Sequence, residues 1–174
     1  MTWVINLYGG PGTGKSTTDA HLFTILKNEG YNVELVREYA KEICWQNLPI
    51  DCQLVVMTEQ YRRQNILSGK VDVIITDSPL LLTKVYGEDF HLPVGEWSEA
   101  LYNDFDNYDV SLVRVKKYNP KGRYQCEEDA KKMDKEIFDM VSGFTDIDFL
   151  VEADVDAASK IADDFLNSFR AFER

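Results

Sequence analysis

The stretch Gly9-Gly10-Pro11-Gly12-Thr13-Gly14-Lys15-Ser16-Thr17 constrains the fold of this chain more than any other feature of its sequence. It matches the pattern G-x-x-x-x-G-K-[ST] at every fixed position, and this pattern is typical of loops that bind phosphate groups. The apolar run 3–8 precedes it, and a helix-compatible stretch begins at Thr18. A chance glycine turn needs neither flanking element. The motif therefore predicts an α/β domain built around a phosphate-binding loop.

The residue types of this loop explain how it would hold a nucleotide. Glycines let the backbone adopt conformations that are closed to other residues, so successive N–H groups point at an anion. The positive end of the following helix adds to this attraction. Lys15 is expected to reach the β- and γ-phosphates of ATP, and the Ser16 hydroxyl to bind Mg²⁺. The predicted nucleotide-binding residues are Gly10, Gly12, Thr13, Gly14, Lys15, Ser16 and Thr17.

Apolar and amphipathic stretches alternate along the rest of the 174 residues. This alternation predicts an α/β fold with a doubly wound parallel sheet and right-handed crossovers. The length suits one core, and we expect a single domain over residues 1–174. Strands are predicted at 3–8, 32–36, 71–76, 109–115 and 147–151, a loop at 86–96, and helices at 16–28, 40–45, 52–67, 80–85, 97–105, 127–141 and 157–169.

Polar residues follow four of the predicted strands. In parallel α/β sheets, ligands collect beyond the carboxyl ends of the strands, so these residues are expected to share one site. The glycine loop follows the first strand, Glu38 the second, Asp77 the third and the basic run 116–126 the fourth. We predict that Asp77 holds Mg²⁺ together with Ser16. The alternative for Asp77 is a helix cap ahead of Pro79.

Two further residues are predicted to act in phosphoryl transfer. Glu38 is placed to accept the proton of an attacking hydroxyl, and the alternative is a surface glutamate at a helix start. Arg123 lies in the basic, turn-rich run 116–126, which we interpret as a short lid that brings positive charge to the transferred phosphoryl group. The alternative is a solvated basic loop. The predicted catalytic residues are Lys15, Glu38, Asp77 and Arg123.

The long helix 52–67 is predicted to line an acceptor pocket. Amide side chains can hydrogen-bond the edge of a nucleobase, and this helix contains Gln60 and Gln64 with Arg63 between them. A solvated helix face is the alternative interpretation. The predicted substrate-binding residues are Arg37, Glu38, Gln60, Arg63 and Gln64.

Charge and composition narrow the range of partners. The formal net charge of −11 disfavours binding of duplex nucleic acid by phosphate neutralisation, which usually leaves a basic footprint. No uninterrupted apolar run reaches the length of a membrane span, so we expect a cytoplasmic protein with no membrane partner. The three cysteines lack metal-ligand spacing. The sequence makes no prediction of the oligomeric state.

Four stretches together resemble a family of small P-loop kinases: the glycine loop, Val-Arg-Glu-Tyr-Ala-Lys-Glu at 36–42, Thr-Asp-Ser-Pro at 76–79, and Tyr-Asn-Pro-Lys-Gly-Arg-Tyr-Gln at 118–125. That family includes the ribosylnicotinamide kinase domain of the bacterial NAD regulator and AAA-like ATP-binding proteins of bacteriophages. Some phage relatives phosphorylate hydroxymethyluracil within DNA. The resemblance implies a three-layer P-loop NTPase fold with five parallel strands in the order 2-3-1-4-5.

The resemblance also bears on the catalytic residues. In related deoxynucleoside kinases the carboxylate after the second strand acts as the base, which implies this role for Glu38. Those enzymes carry an acidic-Arg-Ser triplet after the third strand, whereas this chain has Asp-Ser-Pro at 77–79. Their acceptor pocket therefore does not transfer directly to this sequence.

The sequence thus predicts an ATP-dependent phosphotransferase that moves the γ-phosphate to a hydroxyl. Its acceptor is expected to be a nucleoside, a nucleotide or a modified base in DNA, and a hydroxymethyluracil DNA kinase is favoured. The alternative is a P-loop ATPase or switch protein that needs no acceptor. Against it, the acidic pair of an AAA+ motor is missing because Ser78 follows Asp77, and the Asn-Lys-x-Asp guanine reader of a GTPase does not occur.

Overall fold

A computed structural model describes residues 1–50, 52–87, 93–115 and 126–172 of the chain. The strands of this part form one sheet in the order β2-β3-β1-β4-β5, and every neighbouring pair is parallel. This order confirms the predicted α/β fold. The strands are β1 (Trp3–Tyr8), β2 (Val33–Val36), β3 (Val73–Thr76), β4 (Asp106–Val113) and β5 (Phe149–Glu152).

Helices connect the strands and cover both faces of the sheet. None of those in the described ranges combines the length and the apolar character that a membrane crossing needs. They are α1 (Lys15–Asn28), α2 (Tyr39–Trp45), α3 (Gln53–Asn65), α4 (Leu82–Tyr86), α5 (Val94–Tyr102), α6 (Glu127–Phe144) and α7 (Ala157–Phe172).

The central strand β1 separates two apolar clusters because successive side chains of a strand point to opposite faces. On one face, Ile5 and Leu7 pack against α1 and α7 in the largest cluster. On the other face, Tyr8 packs with Tyr102 of α5 and Ile137 of α6. The buried helices on both sides give three layers, and they leave the ends of the strands as the accessible edge.

The register of the sheet brings the predicted site residues to one edge. Thr76 of β3 pairs with Val36 of β2 on one side and with Asn6 of β1 on the other. The three strands β1, β2 and β3 therefore end at nearly the same level of the sheet. As a result, the glycine loop, the residues after Val36 and Asp77 all begin beside one another.

Helix α5 and strand β4 each begin three residues before their predicted starts, and α6 and α7 each end three residues after their predicted ends. Helix α5 begins at Val94 within the predicted loop, with Pro93 at the N-cap position. A proline is tolerated there because the N–H groups at a helix start have no intrahelical partner, so its missing N–H costs no hydrogen bond. Strand β4 begins at Asp106, three residues early, because its polar residue Asn107 accepts a hydrogen bond from Asn6 of β1. Residues 116–125, which hold Arg123 and most of the predicted lid, lie outside the described residues.

Candidate active site

The glycine loop adopts a backbone that most residues cannot adopt. Gly12 has φ 78° and Gly14 has φ 122°, both in the region that favours glycine. Helix α1 begins directly after Gly14, which occupies its N-cap position and has no side chain to cap the first turn. The N-cap residue therefore does not compete for the N–H groups at the start of α1, which is the arrangement that binds phosphate at a helix N-terminus.

Lys15 is folded back over this loop. Its Nζ donates to the carbonyl oxygens of Gly9 at 2.5 Å and Gly10 at 3.2 Å. Burial lowers the pKa of Lys15, and the carboxylates of Glu38 and Asp77 partly oppose that shift. A phosphate group placed in the loop would give this ammonium a stronger partner than two carbonyl groups.

Asp77 connects the loop to the end of β2. Its Oδ2 accepts a hydrogen bond from the Ser16 hydroxyl at 2.7 Å, and its Oδ1 accepts one from the Glu38 backbone N–H at 3.1 Å. The structure thus brings together three residues that the sequence predicts to share a site. The helix-cap alternative for Asp77 does not account for the Ser16 contact.

The oxygen donors of Ser16 and Asp77 fit Mg²⁺, which prefers hard oxygen ligands and usually keeps several waters. One hydroxyl and one carboxylate next to a phosphate-binding loop are the donor set that such an ion takes. In the described part of the chain, no three His, Cys, Asp or Glu side chains form a site that holds a metal by protein ligands alone. A metal at Ser16 and Asp77 would accordingly depend on the phosphates for further ligands.

Glu38 occupies the N-cap position of α2 without capping it through its side chain. Burial raises the pKa of Glu38, Lys15 lowers it, and Asp77 raises it. The Glu38 carboxylate is therefore close enough to Lys15 and Asp77 for their charges to influence its pKa. A raised pKa suits a group that must take up a proton during a reaction near neutral pH.

Asp19 is a buried carboxylate of this region that the sequence analysis did not single out. Its side chain lies on α1, one turn after Ser16, and it is 1% exposed. Burial raises the pKa of Asp19 to about 7, and the charge of Asp77 adds to the increase. Among the described residues, no group donates a hydrogen bond to its Oδ1. The helical spacing from Ser16 was a usable signal, but nothing in the sequence shows the burial.

The residues predicted to bind the acceptor have different environments. Gln60 is buried, accepts from the Tyr39 N–H at 3.3 Å and donates to the Thr76 hydroxyl at 3.3 Å. It braces the start of α2 against the end of β3. Gln64 is also buried, and its Nε2 makes no hydrogen bond with the described residues. Arg37 is exposed beside Glu38.

Arg63 is engaged within the protein. It donates two 2.7 Å hydrogen bonds to Glu42 and one of 2.9 Å to Glu59, and its guanidinium carbon lies 4.9 Å from the ring centroid of Tyr39. These contacts favour a bracing role for Arg63 in holding α2 on α3. Binding of an acceptor by Arg37, Gln60, Arg63 and Gln64 stays a prediction.

Tyr86 at the end of α4 lies within electrostatic range of this site. Burial raises its pKa, and the carboxylates of Glu38, Glu136 and Asp134 add to the shift. The hydroxyl is therefore within electrostatic range of carboxylates on both α2 and α6. Tyr86 is 36% exposed, so part of its side chain is accessible to a ligand.

A buried polar network surrounds the end of β1, directly before the glycine loop. Asp109 of β4 accepts hydrogen bonds from Tyr102 and from Asn6, and Tyr8, which directly precedes Gly9, lies within the influence of the same carboxylate. Burial raises the pKa of Asp109 to about 6, and the Tyr102 and Asn6 hydrogen bonds oppose the shift. This network fixes the end of β1 from which the glycine loop departs.

Two residues that contact the glycine loop were also missed. Arg114, directly after β4, and Asp134 of α6 form an ion pair against Gly10 and Thr13. A sequence signal exists for Asp134, because it lies between Ala130 and Ile137 on the buried face of an amphipathic helix. Charged residues are rare on such faces unless they are paired.

A small cleft opens beside the loop. It is lined by Thr17, Thr18 and His21 of α1, and by Asp154, Val155 and Ala158 at the start of α7. Because Thr17 and Thr18 directly follow Ser16, the cleft adjoins the place where the phosphate chain would leave the loop.

The strand order, the glycine loop and the grouping of Lys15, Ser16 and Asp77 define a P-loop protein with the three-layer fold of P-loop kinases. More particularly, the chain belongs to the family whose model, AAA_28, is described as an AAA domain and matches residues 4–155. No curated protein matches the chain.

Solved structures share this fold. Shikimate kinase from Aquifex aeolicus is 15% identical, with a TM-score of 0.55 over 95% of this chain and 97% of that one. The APS kinase of Mycobacterium tuberculosis, solved with AMPPNP and APS, is 10% identical, with a TM-score of 0.56 over 95% of this chain and 98% of that one. At these identities the likeness establishes the fold.

Proposed function

We propose that this protein is an ATP-dependent phosphotransferase that moves the γ-phosphate to an acceptor hydroxyl. The observation that carries the proposal is the position of Asp77, which contacts Ser16 of the glycine loop and the backbone of Glu38. This contact supports a scheme in which a candidate metal site, Lys15 of the glycine loop and the half-buried carboxylate of Glu38 surround one point. Phosphoryl transfer needs little more than such positioning and charge stabilisation.

Each residue has a defined task in this scheme. Lys15 would bind the β- and γ-phosphates, and Ser16 and Asp77 would hold Mg²⁺, which neutralises phosphate charge. The acceptor oxygen forms a bond to the γ-phosphorus while its proton passes to a carboxylate oxygen of Glu38. The bond from that phosphorus to the bridging oxygen breaks, and ADP leaves. Arg123 would supply positive charge to the transferred phosphoryl group, as the sequence predicts.

The nucleoside of ATP is assigned to the cleft lined by Thr17, Thr18 and Val155. The first two residues continue the helix whose N-terminus would hold the phosphates, so the nucleoside leaves the loop on this side. Glu38 follows β2 and Val155 follows β5, which lie on either side of β1 in the sheet, so the acceptor would bind on the Glu38 side. Donor and acceptor then approach the loop from different directions, as in-line transfer requires.

For the acceptor we propose a nucleoside, a nucleotide or a modified base in DNA. The sequence resemblance favours hydroxymethyluracil in DNA within this group, and the partly exposed ring of Tyr86, within electrostatic range of Glu38, suits stacking on a base. The net charge of −11 favours a small acceptor over a duplex. A single domain over residues 1–174, with a lid at about 116–126, completes the proposal.

An acceptor-independent ATPase is the second candidate, and the description of the family as an AAA domain favours it. The two functions differ in what limits ATP turnover. A phosphotransferase needs the acceptor hydroxyl, whereas an ATPase uses water.

The test is ADP release from Mg²⁺-ATP with and without a panel of acceptors. The panel contains nucleosides, deoxynucleotides, ribosylnicotinamide, and DNA with and without hydroxymethyluracil, and the Lys15→Ala variant serves as the blank. Stimulation of turnover by one class of acceptor supports the proposal. Turnover that no acceptor alters supports the ATPase.

A further inference from the structure

The ion pair between Arg114 and Asp134 lies directly against the glycine loop. Arg114 Nε donates to Asp134 Oδ2 at 2.6 Å, and its Nη2 donates to Oδ1 at 2.9 Å. The Arg114 side chain is 9% exposed and that of Asp134 is 23% exposed. A paired, two-bond geometry with this burial is the strong form of such an interaction.

Both partners also bind the backbone of the loop. Asp134 Oδ1 accepts a hydrogen bond from the Gly10 N–H at 2.8 Å, and Arg114 Nη2 donates to the Pro11 carbonyl at 2.9 Å. Thr13 Oγ1 lies 3.2 Å from the carboxylate and 3.3 Å from the guanidinium. The pair therefore holds the first half of the loop, from Gly10 to Thr13, at three points.

Helix α6 approaches the loop so closely that Gly10 has no room for a side chain. A Cβ at Gly10 would lie 2.5 Å from Asp134 Oδ1 and 2.8 Å from the Ala130 carbonyl oxygen. Gly10 does not have a positive φ, so close packing rather than backbone conformation explains this glycine. The close contact thus depends both on Asp134 and Ala130 of α6 and on the absence of a side chain at Gly10 of the loop.

We propose that Arg114 and Asp134 are positioning residues that hold the glycine loop in its phosphate-binding shape. The inference rests on the proposed function in that the ligand is the phosphate chain of ATP. Neither side chain needs to touch the nucleotide. They fix Gly10, Pro11 and Thr13, so that less loop freedom is lost when the phosphates bind.

The proposal is tested with Asp134→Ala and Arg114→Ala in the full chain. Direct calorimetric binding of Mg²⁺-AMPPNP, without acceptor, gives the affinity. Each variant is expected to bind about 10–100-fold more weakly, the range seen when a residue that orients a site is removed. Asp139→Ala is the matched control, because Asp139 lies on the same helix and pairs only at the surface with Lys135.

A double variant distinguishes a shared role from two separate ones. If the pair acts as one unit, Arg114→Ala/Asp134→Ala will bind about as weakly as the weaker single variant, well short of the product of the two effects. In turnover assays the KM for ATP should rise while the KM for the acceptor stays the same. A general loss of stability would not separate the two constants in this way.

Urea unfolding shows whether each variant is folded at the assay temperature. If Asp134→Ala does not fold, Asp134→Asn replaces it, since it keeps the shape and one acceptor but removes the charge that faces Arg114. Binding by folded Asp134→Ala or Asp134→Asn within about twofold of wild type, or effects that simply multiply, would overturn the proposal.

The same assays separate this inference from the proposed function. Wild-type protein that binds Mg²⁺-AMPPNP but phosphorylates no acceptor would contradict the phosphotransferase and leave the positioning role testable by affinity alone. Wild-type protein that does not bind Mg²⁺-AMPPNP would overturn both.

Discussion

The hydroxyl of Ser16, in the glycine loop, donates a 2.7 Å hydrogen bond to the carboxylate of Asp77 at the end of β3. The two residues are 61 positions apart in the sequence, and the parallel pairing of β1 with β3 brings them together. In this arrangement Mg²⁺ would replace the hydroxyl proton as the partner of Asp77. The contact therefore marks the point at which the glycine loop, the proposed metal and the carboxylate of Asp77 would meet.

Removal of the Ser16 hydroxyl or of the Asp77 carboxylate charge should weaken the binding of Mg²⁺. For Ser16→Ala and Asp77→Asn, we expect the Mg²⁺ concentration that gives half-maximal turnover to rise at least about tenfold. The measurement is a Mg²⁺ titration of ADP release at saturating ATP. Ser142→Ala, which removes an exposed serine hydroxyl of α6, is the control. An unchanged Mg²⁺ dependence in both variants would exclude this pair as the metal site.

Lys15→Ala should remove phosphate binding at its centre. We expect transfer to fall by at least about 10²-fold, the typical cost of losing one charge-stabilising donor. Lys132→Ala, at an exposed lysine of α6, should leave turnover unchanged. Turnover is measured as ADP release at several ATP concentrations. Retained activity in Lys15→Ala would contradict the interpretation of the glycine loop.

The proposed base predicts a pH dependence. Burial raises the pKa of Glu38, so the active, ionised form is lost as the pH falls through a value above that of an ordinary glutamate. The turnover rate should therefore decline on the acid side, and Glu38→Gln should lower it by roughly 10²–10⁴-fold and abolish that decline. Glu34→Gln, at an exposed glutamate of β2, is the control. A near-normal rate in Glu38→Gln would return Glu38 to the role of a surface residue.

The buried Asp19 should make stability depend on pH. Its pKa is raised to about 7 in the folded state, against 3.8 for the ordinary group. Between these values the folded state binds more protons than the unfolded state, so the Asp19 contribution to stability falls as the pH rises and levels off above pH 7. A carboxylate that costs stability in this way is typical of a functional position.

Asp19→Asn removes this ionisation. We expect it to gain stability relative to wild type, on the order of 1–4 kcal/mol at pH 8 and clearly less at pH 5. Urea unfolding with EDTA present measures both values, since bound metal would alter the charges around Asp77. A difference that is the same at the two pH values would show that Asp19 is not the titrating group.

Arg123 gives a prediction that comes from the sequence. Arg123→Ala should slow the chemical step more than it weakens ATP binding, because the charge would act on the transferred phosphoryl group. Single-turnover kinetics and Mg²⁺-AMPPNP binding, compared with Arg62→Ala at an exposed arginine of α3, separate the two effects. Unchanged single-turnover rates would refute the lid role.

The sequence was sufficient to predict the fold and the proximity of Ser16, Glu38 and Asp77. Local signals determine these features: a complete glycine motif, apolar strands of the right length, and polar residues directly after the first four strands. In a parallel sheet those residues must lie at one edge. The structure adds the contact geometry, in which Asp77 binds both of the other two.

The residues that the sequence did not reveal depend on how helices dock. Arg114 and Asp134 meet the loop only because α6 packs against Gly10, and no local pattern specifies that approach. Likewise, Gln60 follows the helical pattern of a polar face, yet it is buried as a brace between Tyr39 and Thr76. Such roles follow from packing between distant elements, which the periodicity of one helix does not encode.

The most direct test of the central claim follows the γ-phosphate itself. The protein is incubated with γ-labelled ATP, Mg²⁺ and the acceptor that most stimulates ADP release, and the label is located by chromatography. The account predicts label covalently attached to the acceptor in step with ADP formation, and its loss in Glu38→Gln. Label found only as free phosphate, at a rate that no acceptor changes, would contradict a phosphotransferase and establish an ATPase.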